Sequence, residues 1–290
     1  MAKKKVTRRT LLKMKRNQEP IAMITAYDYP SACLAEDAGA DILLVGDSLG
    51  MVVLGYDSTI PVTLEDMLHH TKAVARGAGN AMVITDLPFM TAHLPTGEVL
   101  RKAARLMQEG LAYGVKVEGG AEIEEKVKAL TAAGVPVMGH LGLTPQSVNQ
   151  LGGYLIQGKD LPNAQRLLDD AKRIEEAGAF SLVLECVPEE LAELVTKHLE
   201  IPVIGIGAGR YCDGQVLVYH DILALAGDLH PSFVKVYREA GKLMASGIQE
   251  YVQDVKNRHF PEEKHVSHLK EGLLEQLHGY IEGAQKHEEN

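Results

Sequence analysis

Two stretches of the sequence decide the fold: DILLVGDSLG at residues 41–50 and AMVITDLPF at residues 81–89. Each is a short apolar run that reaches an aspartate, Asp47 in the first and Asp86 in the second. Continuous apolar runs of this length are typical of parallel strands that are buried on both faces. A carboxylate at the end of such a strand is costly unless it is paired, hydrogen-bonded or bound to a metal. The repeated pattern therefore predicts a site assembled from strand ends.

The same kind of apolar run recurs along the chain, with helix-compatible segments between the runs. Alternating strands and helices imply right-handed parallel crossovers, and about eight such units closing on themselves make a (β/α)₈ TIM barrel of the α/β class. A doubly wound open sheet is the alternative, but it usually carries a glycine-rich phosphate turn after its first strand, and AYDYPSA at residues 26–32 is not such a turn. The predicted strands are residues 21–28, 41–48, 81–88, 113–120, 135–142, 180–188, 201–209 and 215–223.

The composition is that of a globular protein with one large core. The 290 residues are 46% hydrophobic and carry a formal net charge of −9, which argues against general nucleic-acid binding. No apolar run is long enough to span a membrane or to form the core of a signal peptide. The three cysteines lack metal-like pairing, and an odd number suits a reducing cytosol, so we expect a cytoplasmic protein.

We expect a single barrel over residues 1–260 that opens with a leading helix, followed by a C-terminal helical extension over residues 261–290. The basic residues near the N-terminus are interpreted as the solvated face of that helix, with a polyanion-binding arm as the alternative. The links at residues 50–62 and 143–163 are longer than is usual in such barrels, which is typical of segments that line a site or cover it.

Acidic residues dominate the predicted strand ends, where the active sites of such barrels lie. Several carboxylates that converge on one mouth repel each other unless a cation joins them. Oxygen ligands favour a hard ion, magnesium before manganese or calcium, and magnesium usually takes only one or two carboxylates. The alternative for each aspartate is that it caps the following helix. In chain order the strand-end residues are Asp28, Asp47 with Ser48, Asp86, Lys116 with Glu118, His140, Glu185, the glycines of residues 205–209, and His220 with Asp221.

Individual strand-end residues also suggest roles. Lys116 and Glu118 are two residues apart on one strand, so both point into the mouth of the barrel. Either Lys116 binds an anion while Glu118 lies near the metal, or the two form a satisfied ion pair. Glu185 suits a general base, or it is a carboxylate fixed by neighbouring donors. His140 is a substrate or supporting contact, or a histidine hydrogen-bonded inside the barrel. The glycines of residues 205–209 resemble a phosphate loop, or they permit close packing.

Long, colinear motifs run over roughly residues 5–255, and they include LLVGDSLGMVVLGYDSTIPVTLEDM, ITDLPFM, VKVEGG, GHLGLTPQSVNQLGGY, LVLECVP and IPVIGIGAGRYCDGQVLVYHD. Together these motifs resemble the ketopantoate hydroxymethyltransferase family. The resemblance implies a magnesium-dependent barrel of the phosphoenolpyruvate/pyruvate type, a homo-oligomer that is commonly decameric. It also implies transfer of a one-carbon unit from 5,10-methylenetetrahydrofolate to the 2-oxo acid 3-methyl-2-oxobutanoate, which forms 2-dehydropantoate in pantothenate biosynthesis.

The resemblance assigns roles to the strand-end residues by their motifs. Asp47 of VGDS and Asp86 of TDLP would hold the magnesium, and Glu118 of KVEGG would join them directly or through water. Asp47, Ser48 and Asp86 would also contact the 2-oxo acid. Lys116 would bind the carboxylate of that acid.

Glu185 of LECVP would be the proton acceptor in this chemistry. The metal is expected to act as a Lewis acid that stabilises the enolate formed when Glu185 removes the C3 proton, and the enolate then attacks the methylene carbon of the folate. Three alternatives remain: a Schiff-base aldolase with Lys116 as nucleophile, a carbon–carbon lyase of the isocitrate lyase type, and a non-catalytic barrel that binds a small metabolite.

Overall fold

The computed structural model describes residues 4–225 and 231–288. By its internal contacts the chain divides into two compact units, Met1–Glu239 and Ala240–Asn290. The helix that begins at Ala240 lies in the second unit and buries none of its residues. The boundary at residue 260 stays a prediction.

The first unit contains a closed barrel of eight parallel strands in sequential order, with β8 paired to β1. The prediction of a (β/α)₈ barrel is therefore confirmed. The register places Asp86 opposite Lys116, and Glu118 opposite His140, on neighbouring strands. The strands are β1 Ile21–Thr25, β2 Ile42–Val45, β3 Met82–Asp86, β4 Gly114–Glu118, β5 Val137–Gly142, β6 Ser181–Glu185, β7 Val203–Ile206 and β8 Gly214–Leu217.

Helices connect successive strands, except that the link between β7 and β8, residues 207–213, contains no helix. The α-helices of this unit are α1 Arg8–Arg16, α2 Tyr29–Ala38, α3 Leu49–Val52, α4 Leu64–Gly77, α5 Thr96–Gln108, α6 Glu124–Ala132, α7 Val148–Leu151, α8 Leu161–Glu176, α9 Glu189–His198 and α10 Tyr219–Ile222. Short 3₁₀ turns lie at Thr91–His93, Ala121–Ile123 and Pro145–Ser147.

The strands separate two apolar layers, because successive side chains of a strand point to opposite sides. One layer lies between the strands and the surrounding helices, and includes Leu182 and Leu184 of β6. The other fills the barrel interior and includes Val183 of the same strand. Leu11 and Met14 of α1 are buried in the interior layer, so the leading helix packs its apolar face there.

Glu36 of α2 fixes the approach to β3. Its carboxylate accepts hydrogen bonds from the backbone N–H of Asn80 at 2.8 Å and of Ala81 at 2.9 Å, and from Asn80 Nδ2 at 3.1 Å. Burial raises the pKa of Glu36, but these donors outweigh burial and leave the pKa below its ordinary value. The charged carboxylate therefore stabilises the connection between α2 and β3.

The second unit contains two further α-helices and one 3₁₀ turn. They are α11 Ala240–Lys256, the turn Glu263–His265, and α12 Leu273–Glu288. Across the described parts of both units, no helix combines the length and apolarity needed to cross a bilayer.

Candidate active site at the carboxyl ends of the strands

The charged candidates lie inside the barrel because they continue the inward-facing alternation of the strands. Met82 and Ile84 face the interior on β3, as Val183 does on β6. The next inward positions are Asp86 and Glu185, at the carboxyl ends of these strands. The cavity above them has a volume of about 940 Å³. It is bordered by every site residue predicted from the sequence: Asp47, Ser48, Asp86, Lys116, Glu118, His140 and Glu185.

Asp47 and Asp86 are buried neighbours rather than helix caps. The backbone N–H of Asp47 donates to Asp86 Oδ2 at 3.0 Å, which ties the end of β2 to the end of β3. Helix α3, which follows Asp47, has no side-chain cap. By contrast, Asp28 accepts a hydrogen bond from the Ser31 N–H at 2.7 Å and caps α2. The capping alternative therefore holds for Asp28, and not for the other two aspartates.

The electrostatics of this aspartate pair favour a cation. Burial raises the pKa of Asp47 well above its ordinary value, and the nearby carboxylates of Asp86 and Glu118 raise it further. Burial also raises the pKa of Asp86, although Lys116 opposes this. A positive charge between these carboxylates would favour their ionised forms.

The two aspartates also suit a hard metal ion by the type and number of their oxygen ligands. Asp86 Oδ1 is buried and lies 3.1 Å from the ammonium of Lys116. Within residues 4–225 and 231–288, no three His, Cys, Asp or Glu side chains are grouped so that they would hold an ion together. Two carboxylates nevertheless suit magnesium, which keeps several waters that a chelating substrate displaces.

Lys116 joins two of these carboxylates from the interior face of β4. Its Nζ lies 3.1 Å from Asp86 Oδ1 and 3.7 Å from Glu118 Oε1. Burial lowers the pKa of Lys116, but Asp86, Glu118 and Asp47 outweigh burial and raise it. Lys116 is therefore an ammonium at neutral pH, which suits the binding of an anion and opposes action as an amine nucleophile.

His140 lies between two glutamates. Its Nδ1 is 3.2 Å from Glu118 Oε1, and its Nε2 is 3.2 Å from Glu185 Oε2. Burial and then Lys116 lower the pKa of His140, but Glu118 and Glu185 outweigh both and raise it to about 9. A protonated ring holds both glutamates in place, so His140 supports Glu185 from inside the barrel. Lys116 Nζ also lies 3.2 Å from His140 Nδ1, but two protonated cationic groups do not hydrogen-bond to each other. The Nδ1–H of His140 therefore donates to Glu118 Oε1.

Glu185 is more accessible from the cavity than the neighbouring carboxylates of Asp86 and Glu118. Its side chain is 14% exposed, against 3% for Asp86 and 5% for Glu118. Its neighbour Cys186 also borders the cavity. Burial and then Glu185 raise the pKa of the Cys186 thiol to about 11, which keeps the thiol protonated and unsuited to nucleophilic attack.

Ser48 is held at the cavity edge by a tyrosine that the sequence did not single out. Ser48 Oγ lies 2.8 Å from the hydroxyl of Tyr27, which is fully buried after β1. This hydrogen bond fixes the position of the Ser48 side chain beside the cavity.

Gln146 is a further site residue that sequence reasoning missed. Its Nε2 donates to Asp47 Oδ2 at 2.8 Å and to the carbonyl of Leu87 at 2.9 Å. Its backbone N–H donates to Glu118 Oε2 at 3.0 Å. One residue of the β5–α8 link therefore contacts the ends of β2, β3 and β4. The sequence indicated only that the link is long. An uncharged amide in a loop follows no spacing pattern that would have marked Gln146 as a site residue.

The glycines after β7 serve close packing. Gly207 has a φ of +60°, and a Cβ at this position would lie 2.8 Å from the ring of Phe233. Of the two interpretations of residues 205–209, this geometry favours close packing. His220 and Asp221 lie on α10 and not at a strand end, because β8 stops at Leu217. Asp221 still borders the cavity.

The chain is similar in fold to solved structures of other barrel enzymes. The chain is similar to a phosphonopyruvate hydrolase in complex with oxalate and Mg²⁺, with a TM-score of 0.58 and 14% identity over 96% of this chain and 98% of that one. It is also similar to 2,3-dimethylmalate lyase, a member of the PEP mutase/isocitrate lyase superfamily, with a TM-score of 0.55 and 17% identity over 97% and 98% of the two chains. At these identities the likeness defines the class of fold alone.

Sequence similarity identifies the family within that class. The ketopantoate hydroxymethyltransferase family model matches residues 5–263, and the chain belongs to this family. It is 57% identical to the 3-methyl-2-oxobutanoate hydroxymethyltransferase of Carboxydothermus hydrogenoformans over 94% of this chain and 99% of the relative. It is 58% identical to the enzyme of the same name from Geobacillus sp. over 94% and 98% of the two chains. The family resemblance inferred from the motifs is thus confirmed.

Proposed function

We propose that this protein transfers a hydroxymethyl group to 3-methyl-2-oxobutanoate and so forms 2-dehydropantoate, a step of pantothenate biosynthesis. The donor is 5,10-methylenetetrahydrofolate, and one water supplies the hydroxyl oxygen. The observation that carries the proposal is the arrangement of Lys116, Asp47, Asp86 and Glu185 around one cavity. Membership of the family supports the choice of reaction.

Asp47 and Asp86 are the residues that would hold magnesium. Glu118 would support them, and it is held in place by His140 and by the Gln146 backbone N–H. Bound there, magnesium would supply a Lewis acid that polarises the keto group of the 2-oxo acid. The hydrogen bond from the Asp47 N–H to Asp86 Oδ2 brings the two aspartates together, and this closeness and the raised pKa values of both support the assignment.

Lys116 binds the substrate carboxylate in this proposal. Its ammonium offsets the negative charge that the 2-oxo acid brings into a cavity already lined by acidic side chains. Ser48, held by Tyr27, donates a hydrogen bond to the same acid. These contacts orient the 2-oxo acid so that its C3, the branched carbon of the isopropyl group, faces Glu185.

Glu185 is the general base that removes the proton from C3. Its partial exposure to the cavity gives it access to substrate, and His140 restricts the position of its carboxylate from behind. The electron pair left at C3 forms the new bond to the methylene carbon as the bond from that carbon to one folate nitrogen breaks, and that nitrogen takes the proton that Glu185 removed. Water then displaces the second folate nitrogen from the same carbon, which leaves the hydroxymethyl group on C3, and the remaining water proton goes to that nitrogen of the released tetrahydrofolate.

Exchange of the C3 proton tests this assignment without the donor. The 2-oxo acid is incubated with the protein and magnesium in deuterium oxide, and the loss of the C3 proton signal is followed by NMR. We expect exchange in the parent protein, and a fall of about 10²- to 10⁴-fold in Glu185→Gln. Exchange that continues unchanged in Glu185→Gln would refute the base assignment, whereas no exchange in the parent would favour a non-catalytic binding barrel.

The Schiff-base alternative predicts a different outcome. Borohydride would trap the 2-oxo acid on Lys116, and the activity would survive EDTA. The raised pKa of Lys116 argues against this chemistry. Our proposal expects no trapped adduct by mass spectrometry, loss of activity in EDTA, and recovery on addition of magnesium.

A further inference from the structure

The cavity is larger than the 2-oxo acid alone requires. A volume of about 940 Å³ is at the upper end of the range for pockets that enclose drug-sized ligands. The charged residues form its floor at the strand ends. Its outer part has a different composition, and this part is not used by the 2-oxo acid in the proposed function.

The outer part is a rim of exposed apolar and aromatic side chains from two links. Met51 and Tyr56 belong to the link after β2, while Tyr154 and Ile156 belong to the link after β5. Tyr154 is 54% exposed and Ile156 is 50% exposed. Large apolar side chains clustered at the entrance of a cavity mark a ligand-binding surface.

The rim lies within reach of the reacting groups. Tyr154 borders the same cavity as Glu185 and Asp47. Across the entrance, the Tyr154 hydroxyl donates to Met51 Sδ at 3.6 Å, so the two links meet. A flat ring system that contacts Tyr154 would therefore place an attached carbon near Glu185, the proposed base.

The rim also includes a carboxylate, that of Asp57, that can accept hydrogen bonds from a ligand. Asp57 borders the cavity, is exposed, and forms no hydrogen bond or ion pair with a described residue. A 2-amino-4-oxopyrimidine ring presents two adjacent N–H donors, which a carboxylate accepts in a bidentate pair.

We propose that this rim is the subsite for the pteridine ring of the one-carbon donor, with Tyr154 as its stacking platform and Asp57 as the acceptor for its N–H edge. The inference rests on the proposed function, since it places the second substrate of that reaction. A donor held there reaches C3 through the same entrance that admits the 2-oxo acid. Its methylene carbon needs to lie about 3–3.5 Å from C3 for attack.

Binding of tetrahydrofolate, measured by anaerobic calorimetry in the presence of magnesium and the 2-oxo acid, tests the subsite. We expect the dissociation constant to rise about tenfold in Tyr154→Ala, and to stay close to the parent value in Tyr154→Phe, which keeps the ring. Asp57→Asn is expected to weaken binding by a similar factor. Leu155→Ala is the matched control, because Leu155 is exposed on the same link and does not border the cavity.

The donor-free exchange of the C3 proton separates failure of this inference from failure of the proposed function. Tetrahydrofolate affinity that is unchanged in both Tyr154→Ala and Asp57→Asn, while the parent still exchanges C3, overturns the subsite alone. A parent protein that neither exchanges C3 nor binds tetrahydrofolate overturns both. A selective loss of tetrahydrofolate affinity, with exchange much less affected, supports the subsite. Thermal unfolding of each variant confirms that the fold is retained.

Discussion

Substitution of Gln146 by methionine isolates one set of contacts in the site. Methionine has a similar length and volume but no amide, so the hydrogen bonds to Asp47 Oδ2 and to the Leu87 carbonyl are lost. The backbone N–H that donates to Glu118 Oε2 is retained. The variant therefore removes support from Asp47 while it preserves the link to Glu118.

The effect on metal affinity follows from the protonation of Asp47. The Gln146 amide favours the charged carboxylate, against burial and the two neighbouring acidic groups that raise the pKa of Asp47. A hydrogen bond to a charged group contributes about 1.5–3 kcal/mol, and loss of a residue that supports a metal ligand typically weakens metal binding about 10- to 100-fold. Since a metal ligand must be deprotonated, Gln146→Met is expected to weaken metal binding within that range.

The measurement is the affinity for Mn²⁺ by electron paramagnetic resonance, with Mg²⁺ as competitor and no substrate present. Gln150→Met is the matched control, since Gln150 lies on the same link and is exposed. Affinity that is equal in Gln146→Met and the parent would refute the role of this amide. So would an equal loss in the control.

Two further predictions concern charge inside and outside the cavity. In Lys116→Met, the buried carboxylates of Asp86 and Glu118 lose their common partner, so the free energy of unfolding in urea should fall by about 3–5 kcal/mol at neutral pH; a change below about 1 kcal/mol would contradict the ion-pair argument. In Glu36→Gln, loss of a charged acceptor should lower the free energy of unfolding by about 1–2 kcal/mol at pH 7. Because the folded pKa of Glu36 lies below its ordinary value of 4.5, this stabilisation is present above that pH and is lost as the pH falls through the folded pKa. The difference between the two proteins should therefore shrink in acid, whereas Asp37→Asn, on the exposed side of the same helix, should have little effect at any pH.

The strands were predictable because a buried parallel strand has a local signal, a short apolar run that needs no knowledge of its partners. The same signal failed at QVLVYHDIL, where β8 ends at Leu217 and the apolar residues continue into helix α10. Short apolar runs do not distinguish a strand from a buried turn of helix. The expectation that His220 and Asp221 close a strand was therefore wrong.

Within the site, the residues carried by strands were predictable and those carried by links were not. The alternation along β3, β4, β5 and β6 points Asp86, Lys116, His140 and Glu185 to one side, and their chemistry can be inferred from type and position. The contacts of Gln146 depend on how a long link folds back over three strand ends. The metal and the compartment stay predictions from the residues, and the number of subunits stays a prediction of the family resemblance.

The hydrogen bond from the Asp47 backbone to Asp86 has a consequence for the energy landscape of the chain. It brings two buried acidic side chains together before any ligand arrives, and since burial, Asp86 and Glu118 raise the pKa of Asp47, ionising both aspartates is costly in the ligand-free protein. The mouth of the barrel is thus a locally frustrated region, as functional sites often are. Folding stability and ligand binding are then linked, because any cation or substrate that lowers this cost stabilises the native barrel by the same free energy.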